Sequence, residues 1–581
     1  MLQTARRQRA RWIIQPADSH TQSLAAGLNI SPVVAQVLIN RGYRDLSSAK
    51  AFLHPRLADL ARPEQMPGIT DAAERISQAI RAGRKITIYG DYDVDGIAGV
   101  VILVSMLSRL GAKVDYYIPH RIEEGYGLND EAIRALANAG TGLLVTVDCG
   151  VTAVQAIDLA RQLGMEVIVT DHHALPDELP RPDVLVHPGI SGGSGCDPAG
   201  ATVAMKLAWA VAEMASNGRR LESDLRQLML DATCLAALGT ICDLVELKGE
   251  NRILAHYGLK AITQSRLCGL RALIEAAGLA GRGLNSYEVG FIIGPMLNAA
   301  GRMGHARLAV ELLLGSNPDT CRQIAGYLKA QNALRQSYCT QIFNQACQFI
   351  AKNGLDSPDR RTIVVYGPNW HLGLVGIVAS RIVDRFGRPT VVLSCQQPDR
   401  IIQGSGRSIP GFCLLSGLKA CSRHLERFGG HSMAAGLRLT GDDPMAFAND
   451  LESYARGVLS EQDLSPRITL DALVHLGDLS NICIQQLESL APFGQGNPRP
   501  LFACRAVRWL SPPRRVGVKG DHLQMAVADQ TGALRAIGFN MGHLEKRLLE
   551  VDFFDIAFQP RLNTFNGSTS VELVLEDIMI D

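Results

Sequence analysis

Between Lys85 and Pro188 the chain alternates short apolar, β-branched runs with longer stretches of helical periodicity. Ile86–Tyr89, Val114–Ile118, Leu143–Val147, Val167–Thr170 and Val184–Val186 read as strands, with helices such as Ile97–Leu110 and Ala153–Leu163 between them. That rhythm predicts a doubly wound parallel sheet. Helical pattern continues through Thr202–Glu213 and Asp224–Leu238, so the first α/β domain is expected over residues 71–280, behind an N-terminal segment 1–70.

Asp319–Asn353 reads as almost uninterrupted polar helix, on the order of 50 Å long at about 1.5 Å per residue, inside a helical connector 281–355. A second α/β domain, 356–460, is predicted from a strand at Thr362–Tyr366, a helix at Leu374–Phe386, a strand at Thr390–Ser394, and two Gly-rich turns at Gln403–Ser408 and Phe428–His431. Residues 466–581 are β-rich: Leu501–Leu510, His522–Ala528, Leu534–Phe539, a short helix Leu544–Leu549, Phe553–Leu562 and Val571–Ile580. Five strands with a helix between the third and fourth match an OB-fold barrel. The fold class is therefore α/β multidomain with a C-terminal β-barrel.

Composition narrows the function classes. A chain of 581 residues with net charge +1 announces no nucleic-acid partner by bulk charge, so any electrostatic footprint is local. Thirteen cysteines without a C-x-x-C pair argue against a thiolate zinc site and a disulfide framework, and suit a reducing cytosol. No run of about eighteen apolar residues predicts a membrane helix, and no secretory signal is expected at the start. The Arg-rich stretch Arg6–Arg11 reads as a basic arm or, as an alternative, a transit peptide.

Carboxylates gather where the strands end. Gly90-Asp91-Tyr92-Asp93-Val94-Asp95-Gly96 follows the first run, Asp148 the third, Asp171-His172-His173 the fourth, and Leu238–Cys242 ends in Asp243. Ligands of open parallel sheets bind at the carboxyl edge, so these groups converge on one site. Carboxylate with imidazole suits Mn²⁺ or Mg²⁺, and two such ions roughly 3.5 to 4 Å apart, sharing one carboxylate, support in-line displacement at phosphorus. A single Asp after a strand is also a natural N-cap, an alternative open for Asp148 before Cys149-Gly150-Val151-Thr152.

In this order the motifs resemble the DHH phosphoesterase superfamily. Gly294–Arg302, Gly373–Arg381, Gly404–Ser408 and Gly429–Gly436 resemble the DHHA1 domain of the bacterial RecJ family, and Arg515–Gly517, His522-Leu523 and Asn563–Gly567 its OB-fold, so the likeness covers nearly the whole chain. The resemblance implies a cytoplasmic, metal-dependent exonuclease that degrades single-stranded DNA from the 5′ end in recombination and repair, with two Mn²⁺ or Mg²⁺ ions per active site. It implies partners in single-stranded DNA, a single-strand-binding protein and a recombination helicase, and no membrane. It also implies that Asp93 and Asp148 hold one ion and Asp95, Asp148, His172 and Asp243 the other, with Asp148 as bridge and His173 facing the scissile phosphate. The superfamily's pyrophosphatase branch has a histidine four positions before the equivalent of Asp93; Tyr89 stands there in this chain, which makes Asp91 the candidate substitute.

The same resemblance places Arg121 and Tyr126 near the 5′-phosphate, with Ser405 and Arg407 across the cleft. Read from residues alone, Gly404–Ser408 is either a plain turn or a phosphate-binding one using backbone N–H groups and a bidentate guanidinium. Arg302 either contacts DNA backbone or forms a buried ion pair, and His431 either closes the active site or satisfies a turn. His305 stands where the family more often has an acidic residue. Arg505, Arg508, Arg514, Arg515 and Lys519 cluster with Trp509, as backbone tracking with base stacking or as a solvated charged face. Two rival functions remain. A phosphodiesterase for short oligonucleotides or cyclic dinucleotides would generally lack residues 467–581, and a non-catalytic single-strand-binding scaffold would have lost Asp93, Asp95, Asp148, His172 and Asp243.

Overall fold

The computed structural model describes residues 10–121, 124–125, 127–191, 197–217, 219–396, 401–565 and 567–580. The chain divides into two compact units: Arg62–Asp243 with Gly258–Pro466, and Met1–Ala61 with Leu244–Tyr257 and Arg467–Asp581.

In the larger unit Lys85–Gly90 (β1), Lys113–Tyr117 (β2), Leu143–Val147 (β3), Glu166–Thr170 (β4) and Val184–Val186 (β5) form an all-parallel sheet in the order β2-β1-β3-β4-β5. β1, β3 and β4 are buried along nearly their whole length, which is why they read as unbroken apolar runs rather than alternating ones. The order reverses at β1 and β3, the place where a doubly wound sheet opens a crevice at its carboxyl edge. Val94–Arg109 (α1) packs against Gly200–Ala215 (α2) and Ser223–Cys242 (α3). Among the described residues α3 is the one unbroken helix long and apolar enough to cross a membrane, and most of it is buried in this core.

Gly294–Arg302 (α4) packs on the long helix Pro318–Lys352 (α5), which in turn packs on Leu372–Phe386 (α6). α5 is 35 residues long; the Asn317 side chain caps it by accepting from Asp319 N and Thr320 N, and Pro318 occupies its first turn. A second sheet follows from Ile363–Pro368 (β6), Thr390–Gln396 (β7), Ile401–Arg407 (β8), Leu425–Gly430 (β9) and Ala434–Leu439 (β10), ordered β9-β10-β8-β7-β6. The two Gly-rich turns expected here are strands, β8 and β9. Gly404 lies so close to β7 that a β-carbon would strike Val392 O and approach Leu393 Cα to 2.8 Å. Glycine is there for close strand packing. Because β8 pairs on both sides, its backbone N–H groups serve the ladder rather than a phosphate.

The smaller unit is a closed barrel. Phe502–Val516, His522–Ala528, Ala533–Gly538, Ser568–Met579 and Phe554–Phe565 pair in that order, and the last returns to the first. Of the N-terminal segment, residues 10–61 belong to this unit and 62–70 to the larger one: Arg11–Ile14 pairs in parallel with Arg467–Leu470, and the helix Pro32–Asn40 buries Val34, Val37 and Leu38 in the same core as Phe502, Phe558 and Leu573. Arg41, just past that helix, clasps Asp471 through Nη1 to Oδ1 at 2.8 Å and Nη2 to Oδ2 at 3.2 Å, with side chains only 11% and 8% exposed. Removing one partner of a buried pair leaves the other charge uncompensated. Arg41→Ala is expected to destabilise this unit by about 3 kcal/mol, measured as a lower urea midpoint for its unfolding, whereas a change under about 0.5 kcal/mol would class the pair with surface ion pairs.

Candidate metal centre

β1 runs into α1 with almost no loop, and the turn is closed by Asp93, whose Oδ1 caps the helix by accepting from Asp95 N at 2.9 Å and Gly96 N at 3.2 Å. Capping therefore holds for Asp93. It does not hold for Asp148: the next helix, Val154–Gln162, has Ala153 at its cap and no side-chain bond there. Asp148 instead has a left-handed backbone, φ 61°, a strained conformation of the kind found at functional sites. Asp95 lies in the first turn of α1, and its carboxylate accepts from Gly200 N at 2.5 Å and Ala201 N at 2.9 Å at the positive end of α2. Two glycines make room for these groups. A β-carbon on Gly200 would come within 2.8 Å of Asp148 Oδ1, and one on Gly239 would strike Asp95 Oδ1. Asp171 accepts from Val151 N, His172 N and His173 N and from His173 Nδ1, the last at 2.7 Å, while Asp243 ends α3 with its N–H on Gly239 O.

These segments bring His172 Nε2 to 3.0 Å from Asp148 Oδ1, 3.7 Å from Asp95 Oδ2 and 3.7 Å from Asp243 Oδ2. Three sets of ligand atoms lie within 4.8 Å of one another: Asp91, Asp93 and Asp148; Asp95, His172 and Asp243; Asp148, His172 and His173. Asp91 Oδ1 and His172 Nε2 are buried without a hydrogen-bond partner among the described residues. Three carboxylate oxygens surround Nε2, yet none meets it in hydrogen-bond geometry, as expected of ligands placed round a cation.

The electrostatics agree. Burial, then the charges of Asp243 and Asp93, push Asp95 up to about 7 against the pull of His172, and burial with Asp93 does the same to Asp243. Burial and neighbouring carboxylates also hold Asp91 and Asp148 well above the usual range. Burial lowers His172, whereas His173 is raised to about 9 because hydrogen bonding and charge from Asp171 outweigh its burial. Such a cluster takes up protons or a cation. Oxygen and imidazole donors fit Mn²⁺ or Mg²⁺; the adjacent Cys149 and Cys242 thiols are pushed up by burial and the same carboxylates, and so stay protonated.

Arginines stand near these acids without carboxylate partners among the described residues. Arg121 lies over the Tyr92 ring, 4.7 Å from its centroid, and lines with Ser405 a cavity of about 420 Å³. Arg407 donates to Ser405 Oγ at 2.8 Å and Gly406 O at 2.7 Å. Arg302 donates to Gly373 O at 3.0 Å, and burial, then the nearby charges of Arg121 and Arg335, lower it to about 10. Among the described residues no carboxylate pairs with Arg302, so the buried ion pair considered for it is not found there.

Other expectations fare differently. Tyr126 lies outside the described residues. His431 is exposed at the β9–β10 turn, its backbone N–H on Ala434 O. His305 packs edge-on against Tyr327 of α5. In the barrel Arg505, Arg508, Arg514, Arg515 and Lys519 are exposed, but Trp509 is half-buried against the core, because the strand's alternation shifts at bulges and turns the indole inward. It is not an open stacking platform.

Comparison with known proteins follows the same lines. Residues 85–236 match the DHH family N-terminal domain, 359–457 the DHHA1 domain and 470–577 the RecJ OB domain. The chain is 37% identical to the single-stranded-DNA-specific exonuclease RecJ of Bacillus subtilis, over 98% of this chain and 71% of the relative. The chain belongs to the RecJ family. RecJ of Haemophilus influenzae is 33% identical over 93% of this chain and 96% of its own. The crystal structure of RecJ from Thermus thermophilus in complex with Mn²⁺ superposes with a TM-score of 0.84 at 31% identity, covering 99% of this chain and 80% of that one.

In this RecJ-family chain, sequence reasoning assigns no role to the N–H groups of Gly200 and Ala201 or to Gly239, and Asp171, expected among the converging carboxylates, instead holds His173 through Nδ1. The available signals were the small-residue run Ala199–Ala201 and the glycine four positions before Asp243. Groups that orient metal ligands typically affect affinity 10- to 100-fold. Gly239→Ala is expected to weaken Mn²⁺ binding by about that factor, read by calorimetric titration, with the far-ultraviolet circular dichroism unchanged. Wild-type affinity would show that Asp95 does not depend on the space Gly239 leaves.

Proposed function

We propose that this chain is a metal-dependent exonuclease that hydrolyses phosphodiester bonds of single-stranded DNA from the 5′ end, in recombination and repair. One observation carries the reading: a buried carboxylate–histidine cluster and a set of arginines with no carboxylate partners among the described residues occur in one unit. The solved RecJ structures from Thermus thermophilus in complex with Mn²⁺ and with Mg²⁺ support the choice of ion. Two such ions, one at Asp91, Asp93 and Asp148 and one at Asp95, Asp148, His172 and Asp243, would supply an activated water and neutralise charge on the leaving oxygen.

The protein's own groups do the rest. Asp148 supplies oxygen to both ligand sets, and the α2 N–H groups hold Asp95 in place. His173, fixed by Asp171 through Nδ1, faces a phosphate oxygen of the substrate. Arg302 receives a backbone phosphate, while Arg121, Ser405 and Arg407 receive the terminal 5′-phosphate through side chains alone. The exposed barrel cations attract the phosphate backbone of a single strand. Because the substrate is single-stranded, an unwinding helicase and a single-strand-binding protein are its natural partners. The described cysteines are all free thiols, which suits the cytoplasm.

Product analysis tests the reading directly. With Mn²⁺ and 5′- or 3′-labelled oligonucleotides, mononucleotides are expected from the 5′ end of single strands and little product from blunt duplex; cleavage of cyclic dinucleotides in preference to long strands would overturn it. A charge-assisted contact contributes about 1.5 to 3 kcal/mol, so Arg407→Ala is expected to slow cutting of 5′-phosphorylated strands roughly 10- to 100-fold while affecting 5′-hydroxyl strands much less. Equal losses on both ends would make Arg407 a general backbone contact.

A further inference from the structure

The segment between β2 and the helix Asp130–Asn138 carries Arg121, and one carboxylate gathers its described residues. Glu124 Oε1 accepts from His120 N at 2.7 Å, and Oε2 accepts from Tyr117 OH at 2.8 Å and Asn129 Nδ2 at 2.8 Å. Glu124 N in turn donates to His120 O at 2.8 Å. Both carboxylate oxygens are therefore engaged within the segment and its root, and Glu124 forms no ion pair with Arg121. Beneath lies Tyr89, fully buried in β1. Its hydroxyl donates to Gly127 O at 3.0 Å and receives Asn129 Nδ2 at 3.4 Å, and its ring stacks on Tyr117 at 5.1 Å and 29°. Burial raises both phenols above their ordinary range, so each remains a protonated donor.

A phenol has one hydrogen to give. Tyr89 gives it to Gly127 O, on the segment, and not to a carboxylate of the metal centre four residues along the chain. Gly125 and Gly127 both have positive φ, and a glycine has little intrinsic preference for that conformation over its mirror image. Side chains from β1 and β2 supply what the backbone lacks.

We propose that Tyr89, Tyr117 and Glu124 are positioning residues for recognition of the 5′ end: they fix the segment that presents Arg121 to the terminal phosphate, and Tyr89 is a loop anchor rather than a metal ligand. The proposal rests on the reading that Arg121 receives that phosphate. Holding the guanidinium in place before the strand arrives removes an ordering cost from binding and from the approach to the transition state.

The test uses the full chain with Mn²⁺ and compares kcat/KM on 5′-phosphorylated and 5′-hydroxyl oligonucleotides for Tyr89→Phe, Tyr117→Phe, Arg121→Ala and the double variant Tyr89→Phe/Arg121→Ala. Tyr89→Phe keeps the ring and removes the hydroxyl. It is expected to lower the preference for 5′-phosphate about 10-fold, mainly through KM, with Mn²⁺ affinity by calorimetry within about twofold of wild type. The double variant is expected to show no further loss of preference beyond Arg121→Ala. If Tyr89→Phe does not fold, Tyr117→Phe, which removes a donor to Glu124 near the surface, is expected to show the same loss. Loss of preference in Arg121→Ala with full preference in both Phe variants would overturn the proposal, as would a Tyr89→Phe defect in Mn²⁺ affinity as large as its defect in preference. Full preference in Arg121→Ala would overturn the underlying reading of Arg121 and the proposal with it.

Discussion

Buried carboxylates crowded at one edge of a parallel sheet set the terms for the rest of the larger unit. Two like charges 4 Å apart repel by about 4 kcal/mol at an effective dielectric near 20, and here Asp91, Asp95 and Asp148 are each nearly inaccessible to water. Protons or divalent cations must answer that repulsion. The fold does so without a single lysine among the ligand groups: it supplies helix N–H donors to Asp95, a histidine ringed by oxygens, and glycines where any side chain would displace a ligand. Asp148, with its left-handed backbone, lies within reach of Asp91 and Asp93 on one side and of His172 and His173 on the other.

The arginines are the complement of that cluster. Arg302 and Arg407 are desolvated, repelled by Arg121, and among the described residues bonded to neutral acceptors. A buried cation without a counter-charge is as costly as a buried anion without one. A phosphate chain lying near divalent ions would relieve both at once, which is why the two halves of the site are best understood together. On β8, whose backbone pairs on both sides, Ser405 and Arg407 lie two residues apart on one face, beside Gly376 of α6.

Much of this was legible in the sequence because the signals were of the kind that burial enforces. Apolar runs gave the parallel strands to within a residue or two, and acids follow three of them, Asp91, Asp148 and Asp171; the fourth was read as another strand end, but Leu238–Cys242 closes a helix and Asp243 joins the cluster from the end of α3. The long polar helix was visible as an almost uninterrupted helical stretch from Asp319, and the structure starts it one residue earlier at Pro318, capped by Asn317. What stayed hidden depended on distant partners. Glycines in β8 and β9 read as turns because glycine is a turn former locally, and only the neighbouring strand reveals the close approach at Gly404. The N-terminal helices show amphipathic faces but nothing in residues 10–61 names the barrel, far along the chain, as the surface they cover. Trp509 read as an exposed aromatic among cations until the bulges in its strand turned it inward, and the backbone donors to Asp95 are invisible to any reading of side chains.

The claim on which the account turns is that Asp148 joins two cation sites. Titration of the full-length protein with Mn²⁺, following bound ion by electron paramagnetic resonance, tests it most directly when wild type is compared with Asp148→Asn and Asp243→Asn. The account predicts two ions per chain in the wild type, one retained in Asp243→Asn, and neither held tightly in Asp148→Asn. Two ions still bound by Asp148→Asn with wild-type affinity would contradict it.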